Sequence, residues 1–506
     1  MDTHVLWTAV ADVLTSRVVL GLVSTLYVLS FLLVCLHVLQ RPRDASSSLL
    51  WMFLAWAFPI LGPIAYLAFG VDRVPRKSWR KQSRDREFRQ EQRAHPPTEA
   101  PPYSRHAREF HVHMDPDSLA GRVRRGVDAV CPEYPLLGGN QVELLVAGDE
   151  AYPRMLEAIR GARHTIHLQT FIIRTDTISR AFLELLAEKA RSGVTVRMLY
   201  DRFGSTGAVL RGFFRRYRRI PNLRIVGWTQ ANVFKRQFQI NLRNHRKLLV
   251  VDGERAFLGG INIHDDHILA TGRHPIQDYH FDVRGPIVHE LQYAFLRDWY
   301  FITEDPPRRL LTRDVFPSPA AAGAMPVHAI PSGPTEDEKE SLSEAIFLIL
   351  NSASRHILAT TPYFVPPPDI LRAFTSAAIR GVDVRLVVPM KNNHLYAGLA
   401  GRARYETLLN AGVRIYERRP PFLHAKALSV DDTLALVGTA NLDVRSLRLN
   451  YETNLIVYDA GFAVTMRQAI EREIAAGVEI SPVLWARRPA YQRLFENFCN
   501  LLTPAL

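Results

Sequence analysis

The sequence predicts an α/β protein made of two related halves, preceded by an N-terminal transmembrane helical hairpin. Three observations lead to this prediction. The motif His-x-Lys-x4-Asp-x6-Gly-x2-Asn occurs twice with identical spacing, apolar runs alternate with amphipathic stretches, and two long apolar segments lie near the N-terminus. A duplicated motif within a repeating strand and helix pattern indicates one α/β unit present in two copies.

The N-terminal region, residues 1–72, is predicted to form the membrane hairpin. Val18 to Leu39 carries no formal charge and is long enough to cross a hydrocarbon core of about 30 Å, and Leu49 to Gly70 is a second such segment. A cleavable signal peptide is the alternative for the first segment. Asp2 and Asp12 in its leader, its length and the second segment directly after it argue against that alternative.

The second apolar segment leads into a strongly basic flank. The cationic residues of this flank are Arg73, Arg76, Lys77, Arg80, Lys81, Arg84, Arg86, Arg89 and Arg93. The positive-inside rule predicts a cytoplasmic flank that can hold anionic headgroups, although a solvated linker explains any single Arg equally well. Arg41 and Arg43 in the connecting loop weakly favour the opposite orientation. Pro59, Gly62 and Pro63 predict a kink within the segment.

The remaining chain is predicted to contain two linkers and two halves. Residues 73–137 are charged and contain several prolines, which indicates a tether with some helix rather than a core. The first half spans 138–305 and the second 327–506. A Pro/Ala-rich break at 306–326 separates them.

Hydrophobic periodicity predicts the elements of the first half. Thr165 to Ile173, Val194 to Tyr200 and Lys247 to Val251 have the composition of buried strands, and Ser179 to Arg191 that of a helix. Strands separated by helices of this length are typical of α/β layers.

A second repeat supports the duplication. Ala190-x-x-Gly193-Val194-x-Val196-Arg197 recurs as Ala378-x-x-Gly381-Val382-x-Val384-Arg385. In each case the pattern predicts a helix end, its glycine cap and a following strand.

The duplicated motif supplies the candidate site. Its copies are His245, Lys247, Asp252, Gly259 and Asn262, then His424, Lys426, Asp431, Gly438 and Asn441. His and Lys two residues apart point to the same face of an extended chain. If the halves pack with their motifs facing, two His, two Lys and two Asn converge on one cleft.

Such a cleft is suited to the chemistry of a phosphodiester. Two ammonium groups and two amides stabilise the charge that develops on a pentacoordinate phosphorus, so no metal or other cofactor is required. One neutral imidazole attacks phosphorus while the other, protonated, donates to the leaving alkoxide. Paired structural histidines would leave the shared Lys, Asp and Asn spacing unexplained. A metal site is disfavoured because a Lys two residues from each His would repel a dication.

Composition narrows the partners. The chain of 506 residues has a formal net charge of +13 and 47% hydrophobic residues, which excludes global disorder. The charge suits an anionic partner, whether a phospholipid surface, a phosphate-bearing substrate or nucleic acid. The hairpin favours phospholipid over nucleic acid. The three cysteines are too few and too scattered for a disulfide framework or a zinc site.

At this point the sequence resembles a known family. The duplicated His-x-Lys-x4-Asp is the signature of the phospholipase D superfamily, and the wider context is similar to bacterial cardiolipin synthases. The resembling stretches are Asn244-His245-Arg246-Lys247, Gly259-Gly260-Ile261-Asn262, Thr361-Pro362-Tyr363-Phe364, Leu423-His424-Ala425-Lys426, Gly438-Thr439-Ala440-Asn441-Leu442-Asp443-x-Arg445-Ser446 and Asn450-Tyr451-Glu452. The resemblance covers nearly the whole chain, including the N-terminal hairpin.

The resemblance implies a multi-pass protein of the bacterial inner membrane that acts without metal. One phosphatidylglycerol would form a phosphatidyl-histidine, and a second would attack it to give cardiolipin and glycerol. The residues that the resemblance includes in the catalytic motifs are His245, Lys247, Asp252, His424, Lys426 and Asp431, with Lys247, Asn262, Lys426 and Asn441 binding the phosphate. His245 is implied as the nucleophile and His424 as the acid.

The resemblance also implies supporting roles. The motif Asp often supports structure in this superfamily, while Asp278 is expected to orient His245 and Glu452 to orient His424. The sequence departs from the family pattern in two places. Ile276-Gln277 stands where Trp-Arg is common, which weakens the role of Asp278, and Thr439 stands where Ser is usual, which keeps the hydroxyl.

Other functions of the same superfamily remain open from sequence. A phosphatidylserine synthase or a hydrolytic phospholipase D would use the same His pair with serine or water as acceptor. A nuclease is disfavoured by the hairpin. A non-catalytic membrane scaffold gives no reason for both motifs to be intact. The sequence leaves the oligomeric state undetermined.

Overall fold

The computed structural model describes residues 17–40, 45–67, 81–90, 109–228, 243–335 and 340–501. It divides into two compact units, Met1–Pro75 and Arg76–Leu506, which we call the N-terminal unit and the body.

The helices are α1 Arg17–Leu39, α2 Ala45–Ala57, α3 Leu61–Ala65, α4 Leu119–Val130, α5 Ala147–Gly161, α6 Thr177–Arg191, α7 Thr206–Leu210, α8 Val288–Thr303, α9 Pro307–Leu310, α10 Ser341–Ser352, α11 Pro368–Ile379, α12 Leu395–Arg402, α13 Tyr405–Asn410, α14 Val444–Arg448, α15 Ala460–Ala475, α16 Pro482–Ala486 and α17 Ala490–Leu501. Residues 81–90 are also helical. The strands are β1 Leu137–Val146, β2 Thr165–Thr170, β3 Thr195–Asp201, β4 Leu223–Trp228, β5 Leu248–Val251, β6 Arg255–Gly259, β7 Ile276–Gln277, β8 Tyr279–Arg284, β9 Met325–Ser332, β10 His356–Thr360, β11 Asp383–Pro389, β12 Arg414–Arg418, β13 Phe422–Leu423, β14 Ala427–Val430, β15 Leu434–Gly438, β16 Glu452–Val457 and β17 Gly477–Glu479.

The N-terminal unit contains one long apolar helix. Within the described residues, Gly21–Leu39 is the one helix long and apolar enough to cross a membrane. It packs on α2, where Tyr27 Oη donates to the carbonyl oxygen of Trp56 at 2.6 Å and Val34, Val38 and Ala55 are buried together. Most of the other large apolar side chains of α1 are exposed, which is the surface a lipid-facing helix presents.

The second apolar segment is not one continuous helix. α2 ends at Ala57 and α3 begins at Leu61, so the interruption falls where Pro59, Gly62 and Pro63 predict it. Gly62 is required there, because a Cβ would lie 2.1 Å from the carbonyl oxygen of Leu54. The predicted span from Leu49 to Gly70 is thus divided between a helix of 13 residues and one of five.

The body is organised around one sheet of 15 strands. The order is β17-β12-β11-β10-β14-β15-β16-β9-β1-β8-β6-β5-β2-β3-β4. The antiparallel pair β9 and β1 lies where the halves meet. Outward from it the first half runs β8-β6-β5-β2-β3-β4 and the second β16-β15-β14-β10-β11-β12, with the short strand β17 added antiparallel at the edge of the second. In both halves the outer strands, β2-β3-β4 and β10-β11-β12, are parallel and the inner ones antiparallel. The predicted α/β duplication is confirmed.

The predicted elements of the first half are present. β2, α6, β3 and β5 occupy the four predicted intervals, although β2 stops three residues earlier than predicted. Helix α6 begins at Thr177 because the Asp176 carboxylate accepts from the backbone N–H of Ser179 and caps the first turn. Gly193 and Gly381 both adopt positive φ, +100° and +89°, as the repeated helix-end pattern predicts.

Part of the interval 73–137 is buried rather than exposed. Phe88 packs against Tyr293 and Tyr300 of α8 in the central core. Lys81, predicted as one of the headgroup-binding cations, is fully buried, and its Nζ lies 2.9 Å from Asp85 Oδ2 and 3.3 Å from Asp298 Oδ1. The charged composition of this interval concealed a buried ion-pair network, because a pattern of charges does not distinguish paired from solvated side chains.

Candidate active site

Both motif histidines face one cavity of about 500 Å³ in the body. His245, His424, Asn262 and Asn441 all line it, and each His is 9% exposed. The predicted convergence of the two copies is therefore observed for the His and Asn side chains. Phe171 and Tyr363 add aromatic walls, with ring centroids 5.0 Å from His245 and 6.3 Å from His424 respectively.

Backbone pairing between the halves holds the histidines. His245 N–H donates to the carbonyl oxygen of Tyr451 at 3.0 Å, and His424 N–H donates to that of Gln277 at 2.7 Å. The second contact continues the parallel pair of β7 with β13. Each His therefore lies beside the residue that immediately precedes an acidic residue of the opposite half.

The acidic residues consequently reach across the halves. His245 Nδ1 lies 2.9 Å and 3.0 Å from the two carboxylate oxygens of Glu452. His424 Nδ1 lies 2.6 Å from Asp278 Oδ2. The expected pairing of Asp278 with His245 and Glu452 with His424 is wrong: the partners are exchanged, because β16 and β8 each begin beside the motif of the other half. With Nδ1–H donated to a carboxylate, Nε2 of each ring is the atom left for chemistry.

The two His–carboxylate pairs differ in their support. Glu452 is fully buried and also accepts from Thr439 Oγ1 at 2.6 Å and from Asn450 Nδ2 at 3.2 Å. Gly260 occupies the position that matches Thr439 in the first copy. A Cβ there would lie 2.0 Å from Asp278 Oδ1, so only glycine leaves room for the shorter acid. The usual Ser is replaced by Thr without loss of the hydroxyl hydrogen bond.

Helix α8 supports the first motif through the side chain of Asp298. It is buried at 14 of its 16 positions. Asp298 Oδ2 accepts from Asn244 Nδ2 at 2.7 Å, Arg246 Nη1 at 2.8 Å and Gln169 Nε2 at 2.9 Å. Asp298 was not identified from sequence, since nothing in its local pattern distinguishes it from a surface residue.

The motif lysines lie behind the histidines. Lys247 Nζ donates to the carbonyl oxygen of His245 at 2.7 Å, and Lys426 Nζ donates to that of His424. Neither lysine is among the residues that line the cavity, so the predicted convergence is not observed for the two Lys side chains. Across the part of the chain that the structure describes, no group of three or more His, Cys, Asp or Glu residues is arranged to hold a metal ion.

Burial dominates the electrostatics of the site. It lowers the pKa of His245 to about 4 against the opposing effect of Glu452, and with Lys426 and Lys247 it holds the pKa of His424 well below 6.5. It also lowers the pKa of Lys247 to about 7 and that of Lys426 to about 8. Both imidazoles are therefore neutral at pH 7.

The two carboxylates respond differently to burial. Burial raises the pKa of Asp278 to about 6, with Lys426 opposing. For Glu452 the raising effect of burial is outweighed by His245, Lys247 and Thr439, so its pKa stays below the ordinary value. Glu452 is the more firmly ionised acid of the two.

Asn262 and Asn441 supply amides to the cavity wall. Asn262 Oδ1 accepts from the backbone N–H of Ile172 at 3.0 Å. This fixes the orientation of its amide, whose NH2 then serves as the donor. Asn441 is 5% exposed on the same wall.

Asp252 and Asp431 are not part of the cavity, which corrects their inclusion among the catalytic residues. Asp252 accepts from the backbone N–H groups of residues 163–165 and Asp431 from those of residues 354–356, all at 2.8 Å. A strand rise of about 3.3 Å per residue places the α-carbon of Asp252 roughly 16 Å from that of Lys247. Both residues have positive φ and tie the end of the motif strand to the start of its neighbour.

Several cavity residues were given no role in the sequence analysis. Arg243 and Arg445 line one end together, and burial with Arg445 lowers the pKa of Arg243 to about 10. His264 and His267 line the cavity as well, with ring centroids 4.5 Å apart. A signal was available for two of these residues: His264 and Arg445 lie two and four positions after the motif Asn of their copy.

Comparison with known proteins gives consistent matches. A family model described as "Cardiolipin synthase, PLD-like domain" matches residues 155–299 and again 346–474, so each motif falls within one copy. A second, described as phospholipase D-nuclease N-terminal, matches residues 28–70.

Relatives and a solved structure extend these matches. A cardiolipin synthase of Geobacillus kaustophilus (strain HTA426) is 33% identical over 96% of this chain and 94% of its own length. Cardiolipin synthase A of Pseudomonas entomophila (strain L48) is 35% identical over 74% of this chain and 76% of its own. The crystal structure of a phosphatidylserine synthase from Haemophilus influenzae Rd KW20 superposes with a TM-score of 0.57 at 17% identity, covering 76% of this chain and all of that one, which is a likeness of fold alone.

Proposed function

The chain belongs to the cardiolipin synthase family of the phospholipase D superfamily, and we infer that it is a phosphatidyltransferase that makes cardiolipin and glycerol from two molecules of phosphatidylglycerol. One observation carries this conclusion: two histidines, each held through Nδ1 by a carboxylate of the other half, face the same cavity. A nucleophile and an acid on one phosphodiester require this arrangement.

The first step forms a covalent intermediate. Nε2 of His245 attacks the phosphorus of one phosphatidylglycerol, a P–N bond forms, and the P–O bond to the headgroup glycerol breaks. Nε2–H of His424 donates its proton to the departing alkoxide. This assignment requires the bound phosphate to raise the pKa of His424, which burial and Lys426 otherwise keep low.

The second step transfers the phosphatidyl group. The terminal hydroxyl of a second phosphatidylglycerol attacks the same phosphorus, its proton passes to Nε2 of His424, and the P–N bond to His245 breaks. Cardiolipin leaves, His245 is again neutral, and His424 carries the proton, which it donates in the next turnover or releases to water once the phosphate has left. Glu452 stabilises the positive charge that His245 carries as the adduct, and Asp278 does the same for protonated His424.

The phosphate oxygens are assigned to Lys247, Lys426, Asn262 and Asn441. Two buried ammonium groups and two amides offer a preorganised positive potential where charge develops in the transition state. The contacts of the lysines are compatible with this role, because an ammonium has three donors. Lys247 uses one for the carbonyl oxygen of His245, and Lys426 Nζ contacts the carbonyl oxygen of His424 and lies 2.8 Å from its Nδ1.

We assign an anionic lipid as the acceptor, because two arginines line one end of the cavity. Arg445 is close enough to lower the pKa of Arg243, so a phosphodiester between them would relieve their repulsion. Water carries no charge for this pair to bind, and serine carries an ammonium group beside its carboxylate, which the pair would repel. It supports phosphatidylglycerol over the acceptors of a phosphatidylserine synthase or a hydrolytic phospholipase D.

The membrane arrangement is proposed from the N-terminal unit. Residues 1–72 form a hairpin in the bacterial inner membrane, with α1 as one span and α2 with α3 as the interrupted second, and the body is cytoplasmic. The basic flank after Gly70 supports this orientation. The body is proposed to have a pseudo-twofold arrangement of halves at 138–305 and 327–506, supported by the matching strand orders.

The test is lipid analysis of purified protein supplied with phosphatidylglycerol alone. Cardiolipin and free glycerol should appear in equal amounts, and His245→Ala should abolish both. Phosphatidic acid with glycerol would identify a hydrolase instead. Phosphatidylserine formed only after serine and a phosphatidyl donor are added would identify a serine acceptor.

A further inference from the structure

Helix α17 presents its apolar side to solvent and its polar side to the protein. Tyr491, Leu494, Phe495, Phe498 and Leu501 are between 53% and 75% exposed. Their spacing of three and four residues places them along one face of the helix. A surface helix of a soluble protein normally buries that stripe, so the orientation of α17 is the reverse of the ordinary one.

Specific contacts hold α17 in this orientation. Glu496, only 3% exposed, accepts from Arg488 Nε at 3.2 Å. Cys499 is buried with Ala400 of α12 and with Val365, which lines the active-site cavity. The polar side of α17 is thus held by an ion pair with Arg488, in the segment between α16 and α17, and by a small apolar cluster that includes Ala400 of α12.

The apolar face is connected to the cavity through α12. Tyr396 at the start of α12 lines the cavity and is 40% exposed, and Leu395 beside it is 73% exposed. Helix α12 therefore carries exposed apolar side chains at the cavity and supports α17.

We propose that the face of α17 formed by Tyr491, Leu494, Phe495, Phe498 and Leu501 docks the body onto an anionic phospholipid bilayer, so that the cavity opens at the headgroup layer. This rests on the proposed function, because two phosphatidylglycerols bring four acyl chains. A cavity of about 500 Å³ has the size of a small-molecule site and cannot enclose them. The chains stay in the bilayer while the headgroups enter.

Charge and composition favour a lipid surface over a second copy of the chain. Arg487 and Arg493 are exposed on and beside α17, which suits anionic headgroups and would repel the same arginines of a facing copy. Aromatic residues with neighbouring arginines are typical of helices that lie in the membrane interface.

The test uses the full chain reconstituted in phosphatidylglycerol-containing vesicles. A fluorophore is attached at Leu494→Cys, and at Glu184→Cys as a reference position on α6, with the unsubstituted chain as the blank for the native cysteines. Vesicles contain a lipid with a quencher on its acyl chain. We expect quenching at position 494 and none at 184, since the Glu184 side chain is exposed on the first half.

A kinetic comparison accompanies the labelling. Leu494→Ser with Phe498→Ser removes the apolar face, and Gln492→Ser with Asn497→Ser is the matched control at exposed polar positions of the same helix. The first pair should raise KM, expressed as surface concentration of phosphatidylglycerol, about tenfold at unchanged kcat. The control pair should leave both unchanged.

Three outcomes overturn the proposal. They are an unquenched label at 494, cross-linking of two copies through Leu494→Cys in place of quenching, and identical kinetics of the two double variants. Cardiolipin formation without quenching would refute the docking face while preserving the proposed function. Quenching without cardiolipin formation would support the docking face and refute the proposed function.

Discussion

Replacing Glu452 with Gln should disable His245 selectively. The carboxylate receives His245 Nδ1–H at 2.9 Å together with Thr439 and Asn450, all in a fully buried position. Glutamine has one acceptor oxygen for these three donors and no charge to stabilise the phosphorylated imidazole. Loss of the carboxylate from a comparable imidazole pair lowers kcat on the order of 10³ to 10⁴-fold. This corresponds to about 4 to 5.5 kcal/mol of transition-state stabilisation.

Because Glu452 contacts His245 and Asp278 contacts His424, an assay can test the two histidines separately. With a phosphatidyl diester whose leaving group is a nitrophenol, no proton donor is needed, so Asp278→Asn, which acts on His424, should regain most of the rate of nitrophenol release. Glu452→Gln should not, because the attacking imidazole is still impaired. Thr439→Val is the matched control, since it removes one hydrogen bond to Glu452 and should cost about tenfold or less.

Two results would refute this reasoning. If Glu452→Gln regains activity with the nitrophenyl substrate and Asp278→Asn does not, the roles of the two histidines are reversed. If Glu452→Gln folds normally, by its thermal unfolding, and retains kcat within tenfold of the native enzyme on phosphatidylglycerol, the carboxylate does not support the nucleophile.

Three further expectations follow from the site. Asp431→Asn should lower the free energy of unfolding, measured in urea, by about 1 to 3 kcal/mol. It should leave kcat per folded molecule, measured with active-site titration, within about threefold. A large loss of kcat in folded protein would return Asp431 to the catalytic residues. The pKa of Asp431 is lowered in the fold despite burial, chiefly by the backbone N–H of His356, so its contribution to stability is present above the unfolded value of 3.8 and is lost as pH falls through the folded pKa. The pKa values of about 7 for Lys247 and about 8 for Lys426 mean that both ammonium groups lose their charge as pH rises. The KM for phosphatidylglycerol should therefore increase about tenfold between about pH 7 and about pH 9. A KM independent of pH in this range would contradict the phosphate-binding role. Excess EDTA should leave cardiolipin formation unchanged, because lysines and asparagines supply the charge that a metal would otherwise provide, whereas a loss restored by one specific cation would show that a metal takes part.

Local sequence was sufficient for the elements and for the composition of the cleft. The period of apolar residues predicted β2, α6, β3 and β5, because strand and helix faces depend on neighbours within a few residues. The duplicated spacing predicted that His245 and His424 would share a site, since a copied unit places its residues at equivalent positions.

Local sequence was misleading where charge had to be interpreted. In each copy the motif Asp lies five positions after the motif Lys. Asp252 nevertheless accepts hydrogen bonds from backbone amides at the far end of the strand. Lys81, within a basic run, is buried against Asp85 and Asp298. Spacing along the chain does not show whether a charge has a partner, which depends on elements brought together by folding.

The sequence by itself determined the two-copy α/β architecture, the family and the side chains that we propose to react. Only the tertiary structure decided which carboxylate serves which histidine, because Glu452 is 207 residues from His245 and Asp278 is 146 residues from His424. Contacts at such separations arise from strand pairing between the halves and leave no periodic trace in the chain. The outward apolar face of α17 was decided in the same way: amphipathic spacing defines two sides of a helix, and its packing on α12 determines which side meets the solvent.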